Sequence, residues 1–79
     1  MLGQYEEAIA HYDIAIKKNE NNEDIYFSRG LTYASLQKFE SAIDDFKKAS
    51  KTQDQQKQYK VLFNLGVTLR RTNQLDESI

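Results

Sequence analysis

Apolar residues along this chain return at steps of three and four. Tyr5, Ala8, Ile9, Tyr12, Ala15 and Ile16 form one such set, and Phe39, Ala42, Ile43, Phe46 and Ala49 form another. Because about 3.6 residues complete a helical turn, this spacing collects the side chains on one face of an α-helix. Between the two sets, Ile25, Tyr26, Gly30, Tyr33 and Leu36 make a third stripe. It is introduced by Asn21, Asn22 and Asp24, whose short polar side chains suit a helix N-terminus. A fourth stripe runs through Tyr59, Leu62, Leu65, Gly66 and Leu69. No alternation of apolar and polar residues is long enough for a strand. The pattern predicts an all-α chain of antiparallel helices near 5–18, 23–36, 39–53 and 58–71.

The stripes also repeat one another. Tyr5 and Phe39, Ala8 and Ala42, Tyr12 and Phe46, and Ala15 and Ala49 each lie 34 residues apart. Tyr26 and Leu62, Gly30 and Gly66, and Tyr33 and Leu69 lie 36 apart, and Leu75 and Ser78 continue the series of Phe39 and Ala42. The run Tyr26-x-x-Arg29-Gly30-x-x-Tyr33, followed by Ala42-x-x-x-Phe46, resembles the tetratricopeptide repeat, a helix pair of about 34 residues. The resemblance implies antiparallel helix pairs stacked as a fragment of a right-handed α-solenoid. Residues 2–22 would be the second helix of a first repeat, 23–58 a complete repeat with a longer connection, and 59–79 the start of a third. Gly30 is expected to face Ala42, so that nothing bulky holds the pair beyond the short end of the usual 8–10 Å or so between helix axes.

Three departures from the family pattern carry expectations of their own. Arg29 stands where a large aliphatic residue is usual, so either its stem packs with the guanidinium in solvent, or Asp44 or Asp45 pairs with it. Glu20 and Asp54 replace the proline that normally ends each repeat, so the second helix of the complete repeat is expected to run on into Gln53–Gln58. The first and last helices lack the helices they would pair with, and repeats bury each face on a neighbour. The chain is therefore expected to be a segment of a longer array or one completed by another chain, and marginally stable or self-associating alone.

Composition narrows the function classes. Seventy-nine residues allow one small domain, and the absence of Cys excludes disulfides and cysteine zinc sites. Apolar runs such as Val61-Leu62-Phe63 are far shorter than the roughly 18 residues of a membrane span, and no secretory signal pattern opens the chain. Together these point to a cytoplasmic protein, with a cytoskeletal or other intracellular assembly as a variant. Net charge is -1, but residues 1–46 hold nine acids and four bases while residues 47–71 hold seven bases and one acid. A partner would meet a basic region on a chain that is neutral as a whole.

Catalytic chemistry finds little here. His11 is the single histidine, and Glu7 one turn back makes a surface ion pair with it a simpler reading than proton transfer. Glu6-Glu7 and Asp44-Asp45 read as solvated polar faces, since a metal site needs more converging oxygens. No catalytic, cofactor-binding or metal-binding residue is assigned, and the chain is read as no enzyme. Arg70, Arg71 and the lysines lack the interleaved aromatics of a single-strand-binding surface, so neither nucleic acid nor membrane is expected as partner.

What remains is a protein-binding surface. In arrays of the family this chain resembles, the first helix of each repeat lines the concave side. Here the first helices carry a second stripe, Asp24, Phe27, Ser28, Leu31 and Ser35 on one, and Lys60, Phe63, Asn64, Val67 and Arg71 on the next. Phe27 and Phe63 would form an aromatic floor, with positive charge from Lys60, Arg70 and Arg71 at one end. The partner would be a peptide or helical segment with an apolar anchor and acidic residues. Alternatively, Phe27, Leu31, Phe63 and Val67 simply pack helix on helix. A chaperone-tail clamp is disfavoured, because Lys60 fits its pattern but Ser28 and Asn64 replace its Asn and Arg. Two readings stand: an interaction module within a longer repeat scaffold, and an architectural element of a fixed assembly or of a larger enzyme's non-catalytic region.

Overall fold

The computed structural model describes residues 2–19 and 22–77, with side chains for 3–19 and 22–72. Glu20, Asn21, Ser78 and the side chain of Leu75, all used in the sequence argument, lie outside that set. Four helices follow in order: α1 (Leu2–Lys18), α2 (Glu23–Ser35), α3 (Phe39–Ala49) and α4 (Gln55–Glu77). No strand occurs among the described residues.

Local chemistry sets the helix ends. Asn22, in an extended conformation, accepts hydrogen bonds on its Oδ1 from the amides of Asp24 and Ile25 at 3.0 and 3.3 Å. Those bonds satisfy two of the amides a helix start leaves free, and Glu23 and Asp24 add favourable charge there. At the other end of α2, Gln37 adopts a left-handed φ of 62°. Its amide donates to the Ala34 carbonyl and the Lys38 amide to the Tyr33 carbonyl, at 3.0 and 2.9 Å, the crossed pair of a Schellman turn. This three-residue turn reverses the chain into α3.

The α3–α4 junction differs from the sequence expectation. α3 stops at Ala49 instead of running towards 53, and α4 begins at Gln55 instead of 58. The reason is Asp54, whose Oδ1 accepts from the amides of Gln56 and Lys57 at 2.9 and 3.2 Å. An aspartate that caps the next helix cannot also lie inside the previous one. The glutamine-rich stretch from Gln55, expected to prolong the preceding helix, is instead the first turn of α4. α4 also continues to Glu77 instead of ending near 71, for no Pro or Gly interrupts residues 67–77.

α2 packs most extensively on α3, α3 on α4, and α1 on α2, while α2 and α4 touch only lightly. The molecule is therefore a stack in which α3 lies between α2 and α4. Its Cα extents of 40 × 32 × 16 Å have the thickness of two helix layers, as axes about 9 Å apart with Cα radii of about 2.3 Å require. The core is α3's apolar face: Ala42, Phe46 and Ala49 are fully buried, joined by Val61 of α4. Tyr26, Phe27, Tyr33, Ala34 and Leu65 close around them.

Gly30 permits that approach, and the side chains nearest to it are those of Phe46 and Asp45. A Cβ placed there would stand 2.7 and 2.9 Å from ring carbons of Phe46 and 3.3 Å from the Asp45 Cβ. The flat Phe46 ring, one turn beyond Ala42, fills the space that glycine leaves. Gly66 of α4, in the matching position, has nothing within 4 Å of such a Cβ.

Candidate functional site

One residue before Gly30, Arg29 meets two other helices. Its Nε donates to Asp45 Oδ2 and its Nη2 to Asp45 Oδ1, both at 2.8 Å, a bidentate pair across the α2–α3 crossing. Its Nη1 donates to Asp13 Oδ1 on α1 at 2.7 Å. The guanidinium also lies 5.7 Å from the ring centres of both Tyr26 and Tyr33, whose π-faces favour a cation. The hydrogen bonds to Asp45, more than any other influence, hold the Arg29 guanidinium still further above its ordinary range, against the opposing effect of burial. Asp45 is only 2% exposed. The three charge-assisted bonds clamp α1, α2 and α3 together at one point.

This resolves the open choice at Arg29 in favour of pairing, and corrects one expectation about the acids. Asp44 is exposed as expected, whereas Asp45 is buried in the clamp and not solvated. The two neighbours differ because consecutive residues project about 100° apart around a helix, and Asp45 points to the Arg29 side. His11 and Glu7 are both exposed, but no ion pair between them occurs among the described residues.

A pocket of about 210 Å³ opens between the N-terminal ends of α2 and α4. Phe27, Ala49 and Val61 form its apolar floor, and Glu23, Asp24, Lys57 and Lys60 its charged rim, with Thr52 from the α3–α4 turn closing one side. The Asp54 cap fixes where α4 starts and so places Lys57 across from Asp24, with Nζ to Oδ2 at 3.1 Å. That hydrogen bond is the main reason the Lys57 amine is held above the ordinary lysine value. Small-molecule sites typically measure about 300–1,000 Å³, so this pocket suits a single side chain more than a whole ligand.

Of the residues singled out from sequence, Asp24, Phe27 and Lys60 meet at this pocket. Ser28 is half-buried, and Leu31 and Ser35 are exposed further along α2. On α4, Asn64 and Val67 are half-buried, Asn64 donating to the Lys60 carbonyl at 2.8 Å, and Arg70 and Arg71 are exposed. Phe27 and Phe63 do not share a floor. The Phe27 ring stacks obliquely on Phe46 at 5.9 Å, whereas Phe63 is 63% exposed and does not line the pocket. Their positions match in sequence, but α3 covers that face of α2 and no described helix covers it on α4. Sequence reasoning missed Glu23, Ala49, Thr52, Lys57 and Val61. Lys57 was within reach, had Asp54 been taken as a cap and Gln55 as a helix start.

Among the described residues no three His, Asp or Glu side chains gather in a way that would hold a metal ion. No helix among them is long and apolar enough to cross a membrane. Compared with known proteins, residues 2–37 match a family model described as TPR repeat, and residues 23–56 match one described as tetratricopeptide repeat. The chain is 44% identical over 50 residues to the peptidyl-prolyl cis-trans isomerase FKBP42 of Arabidopsis thaliana. That similarity spans 63% of the chain and 14% of the relative. No solved structure matches significantly.

Proposed function

Because the chain belongs to the tetratricopeptide repeat family, we propose that it binds a peptide or helical segment of a partner protein on its concave face, as part of a longer repeat scaffold. The observation that carries this reading is the side-chain-sized pocket between α2 and α4, apolar at its floor and charged at its rim. An apolar anchor enters between Phe27, Ala49 and Val61. The rest of the segment follows Asp24, Ser28, Leu31 and Ser35 on one side and Lys60, Asn64 and Val67 on the other. Acidic groups of the partner then meet Lys60, Arg70 and Arg71. Phe63, off the pocket, is assigned instead to the open face of α4.

The family's repeats mediate protein interactions and are typically not catalytic. The relative's name includes a peptidyl-prolyl isomerase, but only 14% of it is shared, and we assign this helical segment a binding role. A fixed architectural role is favoured by a separate observation, the apolar side chains left exposed at both ends of the stack: Tyr5 and Ile14 on α1, and Tyr59, Leu62 and Leu69 on α4.

The test begins with a peptide selected from a random library on the 79-residue chain, its affinity followed by fluorescence anisotropy. Thr52→Leu, which fills the pocket from the turn, should weaken binding at least tenfold, about 1.4 kcal/mol. Changing Arg70 and Arg71 to Gln should cost less and flatten the salt dependence. Unchanged affinity in Thr52→Leu, with Tyr5→Ala or Tyr12→Ala abolishing binding, would move the site to the second helices.

A further inference from the structure

The pocket between α2 and α4 has walls of opposite charge. α2 supplies Glu23 and Asp24, α4 supplies Lys57 and Lys60, and the rim is neutral as a whole. Asp24 and Lys60 lie 36 residues apart, the same place in successive repeats, yet one is an acid and the other a base. Asp24 and Lys57 satisfy each other at 3.1 Å. That leaves Glu23, half-buried on the α2 wall, and Lys60, exposed on the α4 wall, without an ion-pair partner among the described residues. Glu23 lies one helical turn from Phe27, so its charge stands over the apolar floor from the α2 side. Lys60 adjoins Val61 and does the same from the α4 side.

The size and floor of the pocket select the anchor. A cavity of about 150 Å³ is enough to hold a benzene ring, and this pocket measures about 210 Å³. A small aliphatic side chain would leave part of it unfilled, and such gaps forfeit dispersion contacts. A ring entering beside Phe27 also extends the aromatic pair that Phe27 and Phe46 already form, with centroids 5.9 Å apart.

We propose that the segment bound here carries an aromatic residue between a basic and an acidic one, with the ring in the pocket, the base against Glu23 on α2 and the acid against Lys60 on α4. The assignment rests on the peptide-binding reading of the same pocket. A uniformly acidic segment does not suit this seat, because Glu23 opposes on one wall what Lys60 attracts on the other. In an extended segment the side chains that point the same way as the anchor stand two residues from it, so the base and the acid fall there, one on each side. The split rim also fixes direction, since the same segment turned end for end would set like charges together on both walls.

A peptide selected from a random library on the 79-residue chain, followed by fluorescence anisotropy at low salt, is the probe. It should hold an aromatic residue with a base and an acid on opposite sides, and changing that ring to Leu should weaken binding about three- to tenfold. Glu23→Lys and Lys60→Glu should each cost roughly tenfold, with circular dichroism showing an unchanged helical fold. Rescue should be specific to the pair. Changing the peptide's base to Glu should restore affinity for Glu23→Lys alone, and changing its acid to Lys should restore it for Lys60→Glu alone. Charge reversals that alter affinity less than about twofold, while Thr52→Leu still weakens binding, overturn this assignment and leave the pocket reading standing. Either peptide change rescuing both variants shows a response to net charge only and overturns it too. If Thr52→Leu has no effect, the pocket reading fails and this assignment falls with it.

Discussion

Replacing Arg29 with leucine, a residue type usual at this place in the family, should destabilise the protein although it swaps a charge for an aliphatic group. Asp45 is 2% exposed and takes both of its charged hydrogen bonds from Arg29. Removing the arginine leaves a buried carboxylate without a partner, a loss typically worth about 3–5 kcal/mol. Asp45→Ala should cost somewhat less, about 2–3 kcal/mol, because Arg29 is 17% exposed and keeps Asp13. Asp13 is 48% exposed, and Asp13→Ala should cost no more than about 1 kcal/mol. The double variant Arg29→Leu with Asp45→Ala removes both charges and should fall within about 1.5 kcal/mol of wild type. At about 0.05–0.15 kcal/mol per residue the whole chain is worth about 4–12 kcal/mol, so the Arg29→Leu loss should be plain in urea unfolding followed at 222 nm. A coupling above about 2 kcal/mol in the double-mutant cycle is the expected result. Arg29→Leu or Asp45→Ala costing under about 1 kcal/mol, or a double equal to their sum, would refute the clamp.

The two interior glycines should respond oppositely to alanine: Gly30→Ala should lose about 1–3 kcal/mol by pressing on Phe46, whereas Gly66→Ala, in open space, should gain up to about 1 kcal/mol from helix propensity. Thermal melts separate the two, and equal effects would contradict the close packing at Gly30. Gln37→Gly relieves the left-handed residue of the α2–α3 turn and should raise stability by about 1 kcal/mol, or roughly 4–8 °C in Tm, while a drop would show that Gln37 makes another contribution. Lys57 is held above its ordinary value by Asp24, so its contribution is present below the ordinary lysine range and lost as pH rises through the higher folded value. Urea midpoints of wild type and Lys57→Met should therefore differ by a constant amount from about pH 6 to 9 and converge only above the ordinary lysine range of about 10.4; convergence at neutral pH would contradict the pair.

Periodicity made the helices legible because it is local: the faces of α1 and α3 are written in steps of three and four, and their likeness in a spacing of 34. That was enough for the fold and the family. Spacing does not say which residue of a stripe comes nearest to Gly30, a place the structure gives to Phe46 and Asp45. Nor did it separate Asp44 from Asp45, whose difference is a rotation about the helix axis relative to Arg29. The α3–α4 boundary turned on one aspartate that either continues a helix or caps the next. The pocket was the least legible part, since it depends on Asp24 meeting Lys57 and Phe27 nearing Val61, contacts set by tertiary packing across more than thirty residues. Asp24, Phe27 and Lys60 were found because position in a repeat predicts which side of a first helix remains open.

An amide-resolved NMR titration of the chain with its selected peptide tests the central claim most directly. The protein should show its largest shifts at Asp24, Phe27, Thr52, Lys57, Lys60 and Val61, with Tyr5 and Tyr12 of α1 unmoved. Shifts concentrated on α1, or on Leu62, Gly66 and Leu69 of α4, with the pocket amides unchanged, would contradict the concave-face account.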